Sequence, residues 1–375
     1  MKYWDYLVVF SAVNNTYEYR FLYQVMDTHL EAASAPPASA PKRVFKCILV
    51  TGACGAIGSE VVNCLKAKYP DTIFVNVDAL TYAGKTSHIE SPYDNYVFVH
   101  GDICDANVIS ETLDKWKPDG IVHFAAETHV DTSFGSSLVF TKTNVLGTHT
   151  LLECVKAYIN KHTEVDFKMF LHMSTDEVYG SVPDDEPARH ENSLFQPSNP
   201  YAATKAGAEM ICHAYAKSFH IPICITRCNN AVSKYQHVEK LIPQAITRIL
   251  ANEKVPIHGK GESKRTFIHA YDIASAIDIV LNKGIIGSVY NIGAVVEYTV
   301  LDVVERIVQI LKPNDVYTDW IEYIPDRAFQ DYRYSIDTSA LQQLGWKEHY
   351  TFDDALEYVI SHFIQQHTST PTKKH

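Results

Sequence analysis

From Val44 onward the chain alternates short β-branched apolar runs with longer stretches of helical period. CILV (47–50), IFVNV (73–77), YVFVH (96–100), GIVHFAA (120–126) and MFLHMS (169–174) read as strands with helices between them. The apolar runs are continuous rather than alternating, as expected of strands covered on both faces, hence of a parallel sheet with helical crossovers. The pattern predicts an α/β fold, a Rossmann-like doubly wound parallel sheet over 44–225. Beyond about Ile225 the order is less regular, which predicts a smaller C-terminal α/β substrate-binding lobe over 226–366, interleaved with the sheet. A last helix is expected around Asp353–Phe363 and a frayed polar tail over 367–375. Residues 1–43 differ: an aromatic piece (Tyr17, Tyr19, Phe21, Tyr23) runs into EAASAPPASAPKR, the composition of a linker or disordered extension.

Composition narrows the function classes. Of 375 residues, 46% are hydrophobic and 21% charged, as in ordinary soluble enzymes. A net charge of −11 without a long basic run argues against nucleic acid or an anionic membrane as partner. The eight cysteines are scattered through apolar stretches. Only Cys224 and Cys228 are close, at a spacing that fits neither a zinc knuckle nor a redox pair. Free thiols, no metal site and a reducing, cytoplasmic setting are expected. No apolar run is long enough to cross a bilayer, and Asp5 interrupts the opening MKYWDYLVVF, so no signal peptide is expected.

The run TGACGAIGS places Gly52, Gly55 and Gly58 after the first strand and at the start of a helix. Missing side chains there let the turn tighten and let backbone N–H groups approach a pyrophosphate. Asp78 ends the second strand, where a carboxylate accepts ribose hydroxyls of NAD and repels the extra phosphate of NADP. Asp102 and Ile103 follow the third strand, where an adenine would lie. Small Ala125 and Ala126 stand at the next strand end, where bulk would block the cofactor.

STDEVYG (174–180) follows the fifth strand, and NPYAATK opens a helix with Tyr201 and Lys205 one turn apart on one face. A phenol near pKa 10 is a poor base unless a neighbouring cation lowers it; Lys205 and a nicotinamide are the expected cations. Asp176 and Glu177 are adjacent carboxyls at the carboxyl end of a strand. Two carboxyls in different environments act as acid and base together. Elimination of water needs such a pair; hydride transfer alone does not.

With these segments in order, together with GDICD, HFAAETHVD, EKLIP, RTFIHAYD, YNIG and DRAFQDYRYSID, the chain resembles the extended short-chain dehydrogenase/reductase superfamily. Within it, it is most similar to nucleotide-sugar 4,6-dehydratases, on the dTDP-glucose branch. Epimerases and decarboxylases of the superfamily usually lack the Asp of the Asp-Glu pair. The resemblance implies NAD held at Gly52, Gly55, Ala56, Ile57, Gly58, Asp78, Asp102, Ile103, Ala125, Ala126, Thr143, Tyr201 and Lys205. It implies catalysis by Thr175, Asp176, Glu177, Tyr201 and Lys205. It implies a nucleotide sugar, dTDP-glucose or UDP-glucose, contacted by Asn230, Glu239, Lys240, Arg265, Asn291 and Arg327. Oxidation at C4, loss of water across C5 and C6 and hydride return to C6 would follow, in a homodimer built on the helix carrying Tyr201. A cofactor-loaded sensor without activity is the alternative from another class. The chain departs from the family pattern at Ala53-Cys54, Thr132, His258 and Ala231-Val232-Ser233-Lys234, the last a loop that lies beside the sugar in relatives.

Overall fold

A computed structural model describes residues 42–91, 94–327 and 329–369. β1 (Cys47–Thr51) is buried throughout. Ile48 and Val50 enter one helical layer, Cys47 and Leu49 the other, so its unbroken apolar run reflects two covered faces. The chain continues through α1 (Ala56–Lys68), β2 (Ile73–Asp78), β3 (Tyr96–His100), α2 (Ala106–Trp116), β4 (Gly120–His123), α3 (Val130–Gly135) and α4 (Ser137–Phe140). Then come α5 (Thr148–Lys161), β5 (Met169–Thr175), α6 (Pro200–Phe219), β6 (Ile223–Cys228), β7 (Asn230–Val232), α7 (Leu241–Leu250), β8 (Val255–His258) and β9 (Lys264–His269). The remainder is α8 (Ala270–Lys283), β10 (Val289–Ile292), β11 (Glu297–Thr299), α9 (Val300–Leu311), β12 (Ile321–Ile324), α10 (Ser339–Gln343) and α11 (Phe352–Ser369).

Among the described residues seven strands form one sheet in the order β3-β2-β1-β4-β5-β6-β10. Every neighbouring pair is parallel. α1 and α8 cover one face, and α2, α5 and α6 the other. The chain winds outward from β1 to β3 and then returns past β1 to β4. Crossovers therefore diverge at β1/β4, and a crevice opens at the carboxyl ends there. The doubly wound architecture predicted from the continuous apolar runs is present.

The smaller sheets, β11-β9-β7 and β12-β8, pack with α7, α9 and α11 around Ile246, Ile307 and Val359. The boundary expected at 225/226 falls inside β6, and β10 returns to the main sheet beside it. The lobe thus grows out of the strand ends, and the described residues all fall in one compact unit.

Three boundaries shift. The fourth strand, expected over 120–126, ends at His123. Phe124 N still donates to Thr51 O, but β1 has turned away at Gly52, and 124–126 lose their ladder partner. The last helix runs past Phe363 to Ser369. Arg43, placed in the N-terminal extension, docks on the fold through Nη2 to Gly284 O at 2.8 Å. The rest of that extension, residues 1–41, and the end of the tail, 370–375, lie outside the described residues.

Candidate active site

The turn after β1 forms because only glycine fits it. Gly52 has φ +72, and a Cβ there would lie 2.6 Å from Ala125 Cα. A Cβ on Gly58 would meet Gly52 O at 2.6 Å. α1 begins at Gly55 without a side-chain cap, so its first N–H groups face the crevice as an anion site. Asp78 shapes the far side, accepting Cys54 N and Leu80 N, each at 2.8 Å. These residues line a cleft of about 320 Å³ together with Ala56, Ile57, Asp102, Ile103, Ala125, Ala126 and Thr143. Thr143 sits in a π-helical turn, Thr141–Gly147, between α4 and α5. The bare helix end, the glycine cradle and Asp78 fit a dinucleotide. Every residue expected at the cofactor lines this one cleft.

Thr175, Asp176, Glu177, Tyr201 and Lys205 line the same cleft at its inner end. Asn199 caps α6, accepting Ala202 N at 2.8 Å, with Pro200 opening the helix. That cap turns the Asn199 amide nitrogen toward Glu177 Oε2, 3.1 Å away. Tyr334 OH reaches the same oxygen at 3.3 Å. Asp176 is pinned from the other side: Asn229 Nδ2 donates to Oδ2 at 2.5 Å, and Thr175 Oγ1 to Oδ1 at 3.2 Å.

Burial dominates the electrostatics. It pushes the Asp176 carboxyl up to about 7, with Glu177 adding to the rise and Asn229, Arg265 and Thr175 opposing it. Burial also raises Glu177, against the amide of Asn199 and the charges of Arg265 and Lys240. The expected lowering of the Tyr201 phenol by Lys205 is not what the protein groups produce. Burial, then the Glu177 charge, drives the phenol well above its ordinary value, and a Thr175 hydrogen bond opposes them. Lys205 instead donates to Met173 O at 2.6 Å, and burial lowers it to about 8.

A second hollow of about 220 Å³ continues the first; Thr128, Glu177, Asn230, Glu239 and Lys240 line both. Arg265 and Arg327 stand on its walls. The Arg265 guanidinium lies 4.3 Å from the Tyr334 ring centre and is held by Asp331 O at 2.9 Å. Arg327 pairs with Asp131, Nε to Oδ1 at 2.6 Å. Glu239 accepts Tyr82 OH at 3.1 Å, and Lys240 Nζ donates to Thr128 O at 2.9 Å.

One expected contact is corrected. Asn291 lines neither hollow; it is fully buried in β10. Its amide donates to Arg189 O and Asp337 O and accepts Tyr179 OH at 2.9 Å. Tyr179 in turn takes Arg227 Nη1, and Arg227 is paired with the buried Glu209 of α6. Asn291 therefore belongs to the scaffold beneath the turn that carries Asp176 and Glu177. Sequence reading missed Asn199, Asn229, Tyr334 and Asp131. The cap signature Asn-Pro before α6 and the Asn-Asn after β6 are signals that could have found the first two.

Among the described residues no helix is long and apolar enough to cross a membrane, and no group of three or more His, Cys, Asp or Glu could hold a metal. All eight cysteines are free. The chain matches the family described as GDP-mannose 4,6 dehydratase over residues 49–359. It is 39% identical over 337 residues to dTDP-glucose 4,6-dehydratase of Haemophilus influenzae, covering 86% of this chain and 99% of that protein. It is 40% identical over 323 residues to a trifunctional UDP-glucose 4,6-dehydratase/3,5-epimerase/reductase of Arabidopsis thaliana, covering 85% of this chain and 47% of that protein. The chain thus spans about half the length of that relative. The dTDP-glucose 4,6-dehydratase of Streptomyces venezuelae, solved with NAD bound, superposes with a TM-score of 0.80 at 36% identity, over 88% of this chain and 100% of that one.

Proposed function

This chain belongs to the GDP-mannose 4,6 dehydratase family, and from that premise we propose that it is an NAD-dependent hydro-lyase converting dTDP-glucose to the 4-keto-6-deoxy sugar nucleotide. The observation that carries this is the Asp176–Glu177 pair, the first buried and the second half-buried, each carboxyl with its own amide partner, in one cleft with Tyr201. An enzyme that only exchanged hydride at C4 has no use for two carboxyls held there by separate amides.

The dinucleotide would be held by Gly52, Gly55, Gly58, Asp78, Asp102 and Thr143 along the cleft. When bound, NAD supplies a hydride acceptor at C4 of the sugar and returns the hydride at C6. Tyr201 would accept the O4 proton as the phenolate, a form that the positive charge of bound NAD would favour against the burial and acids that oppose it, with Thr175 beside it in the cleft. The 4-ketone acidifies C5–H. Glu177 removes that proton; its carboxylate is oriented by Asn199. Asp176 protonates the C6 hydroxyl, which leaves as water, and Glu177 gives a proton back to C5. Arg265 and Arg327 face the hollow where the diphosphate lies, as planar donors suited to phosphate oxygens. Asn230, Glu239 and Lys240, lining both hollows, meet the sugar between them.

Phe134, Leu138, Val139, Leu146 and Met210 are exposed on α3, α4, the π turn and α6, elements packed side by side. A second copy of the chain covers this apolar face in a homodimer. The free thiols suit a cytoplasmic setting.

Purified protein given dTDP-glucose or UDP-glucose without added reductant tests the activity. A 4-keto product, seen by its absorbance in alkali, is expected with dTDP-glucose. Faster turnover of UDP-glucose reassigns the nucleotide. No product from either sugar, with NAD bound, removes the enzymatic reading in favour of a sensor.

A further inference from the structure

On the reading of the second hollow as the place of the diphosphate, its two arginines are held in different ways. Arg265 stands in β9, and neutral groups hold its guanidinium. Nη1 donates to Lys264 O at 2.7 Å, Nη2 to Asp331 O at 2.9 Å, and the ring centre of Tyr334 lies 4.3 Å away. Arg327 follows β12 in a stretch of irregular backbone. A long side chain on such a stretch has more rotamers to lose when it meets a ligand. Its guanidinium is held instead by a carboxylate, that of Asp131 in the first turn of α3, 196 residues away in the chain.

We infer that Asp131 is the positioning residue that turns Arg327 toward the substrate's diphosphate. A guanidinium has two edges that fit an oxyanion: Nε with one terminal nitrogen, and the two terminal nitrogens together. Asp131 takes the first edge. Nη2 donates to Oδ2 at 2.9 Å, and Nε stands 2.6 Å from Oδ1, an ion pair by distance rather than an aligned hydrogen bond. The second edge is left for a ligand. Among the described residues Nη1 makes only a long contact, 3.5 Å to Gln330 Oε1, and both residues line the hollow. Asp131 lines it too, with His129 Nε2 3.7 Å from its Oδ2. Thr132, where the chain leaves the family pattern, meets Nδ1 of that histidine at 2.7 Å and so steadies it.

Charge alone argues for the opposite effect, because a carboxylate beside a diphosphate repels it. The members of the pair are 30% and 36% exposed, so solvent screens their attraction. What Asp131 contributes is orientation. Removing a carboxylate that only repels would tighten diphosphate binding; removing one that positions the arginine weakens it. The sign of the change separates the two.

Calorimetric titration of the NAD-loaded protein with dTDP, UDP and thymidine reads that sign. Asp131→Ala weakens the nucleoside diphosphate about tenfold, as one long side chain must then be ordered at the moment of binding. Asp131→Asn keeps an acceptor oxygen in the same shape but loses the charge assistance, and weakens it only about threefold. Thymidine, which has no phosphate, binds all three proteins alike. In an Arg327→Ala background, adding Asp131→Ala causes no further loss, because nothing is left to orient. Unchanged or tighter diphosphate binding in folded, NAD-loaded Asp131→Ala overturns the assignment. So does a loss equally large for thymidine, or equally large without Arg327. Failure of the dehydratase reading is a different result: a diphosphate binds and responds to the substitutions, yet the unaltered protein gives no 4-keto product. Binding of neither dTDP nor UDP by the unaltered protein removes the diphosphate from the hollow and the role of Asp131 with it.

Discussion

The cofactor cleft and the substrate hollow share a wall but are made differently. In the first, backbone does the shaping: Gly52 turns at φ +72, Gly58 packs against Gly52 O, and α1 presents uncapped N–H groups. In the second, side chains that already have partners do it: Arg265 is tied to Asp331 O and Tyr334, Arg327 to Asp131, and Glu239 to Tyr82. A site of backbone and absent side chains is rigid and fails when bulk is added. A site of paired side chains is adjustable and fails by degrees.

The sharpest way to break the comparison is Gly52→Ala. The new Cβ would lie 2.6 Å from both Ala125 N and Ala125 Cα, on a residue at φ +72. The left-handed conformation costs about 1–2 kcal/mol and the overpacking about 1–3 kcal/mol. Together these are ~2–5 kcal/mol of strain on the fold; relieving it moves the turn off the geometry that presents the α1 N–H groups, so NAD retention should weaken by at least about tenfold, or about 1.4 kcal/mol. Cofactor content of the purified variant, beside an unchanged circular dichroism spectrum, checks this. Full NAD occupancy would show that the turn is not what holds the dinucleotide.

Legibility in the sequence follows the same division. The cofactor cleft was readable because steric requirements leave marks in composition. Glycine at three spaced positions, Asp78 at a strand end and Ala125-Ala126 at another each have few alternatives, and all line the cleft. The strands were readable because their apolar runs are unbroken. The substrate side was read through resemblance, residue by residue, and there Asn291 went astray. An asparagine at a strand end serves a ligand or a buried network equally well, and only the positions of Tyr179, Arg189 and Asp337 decide between them. The partners of the Glu177 and Asp176 carboxyls, Asn199 and Asn229, escaped for a related reason. Each is brought to its carboxyl by tertiary structure, from 22 and 53 residues away in sequence. The rise in Tyr201 is likewise a product of burial and of two acids that only the fold brings beside it.

A smaller effect tests the substrate side. Arg265→Lys keeps the positive charge that opposes the rise in Asp176 and Glu177, but loses the fork held by Lys264 O and Asp331 O. KM for the nucleotide sugar should rise about tenfold, or about 1.4 kcal/mol, with kcat and NAD content little changed. Steady-state kinetics beside cofactor analysis separates the two sites. Loss of NAD in this variant would mean that the two hollows are mechanically coupled rather than merely adjoining.

The smallest effect concerns Ala231-Val232-Ser233-Lys234, where the chain leaves the family pattern. Only Ala231 of this stretch lines a hollow, and that is the cofactor cleft. Ser233 turns to Glu60 of α1 at 3.1 Å, and Lys234 to Glu90 at 2.7 Å, with its ammonium 5.4 Å from the Tyr358 ring centre on α11. Those contacts tie the loop to the cofactor-side scaffold and away from the sugar. Glu90 is 48% exposed, so solvent screens the ion pair and it adds well under 1 kcal/mol; the cation over the Tyr358 ring adds about 0.5–1 kcal/mol. Lys234→Met, which keeps the apolar stem, should therefore cost no more than about 1 kcal/mol in urea unfolding. The cost should shrink as salt is added. The ratio of kcat/KM for dTDP-glucose over UDP-glucose should stay within about twofold, because the residue faces neither sugar nor base, and a twofold ratio is only about 0.4 kcal/mol. A larger change in that ratio would place the loop on the substrate side after all, and would make the nucleotide preference a property of Ala231-Val232-Ser233-Lys234 rather than of the hollow's arginines.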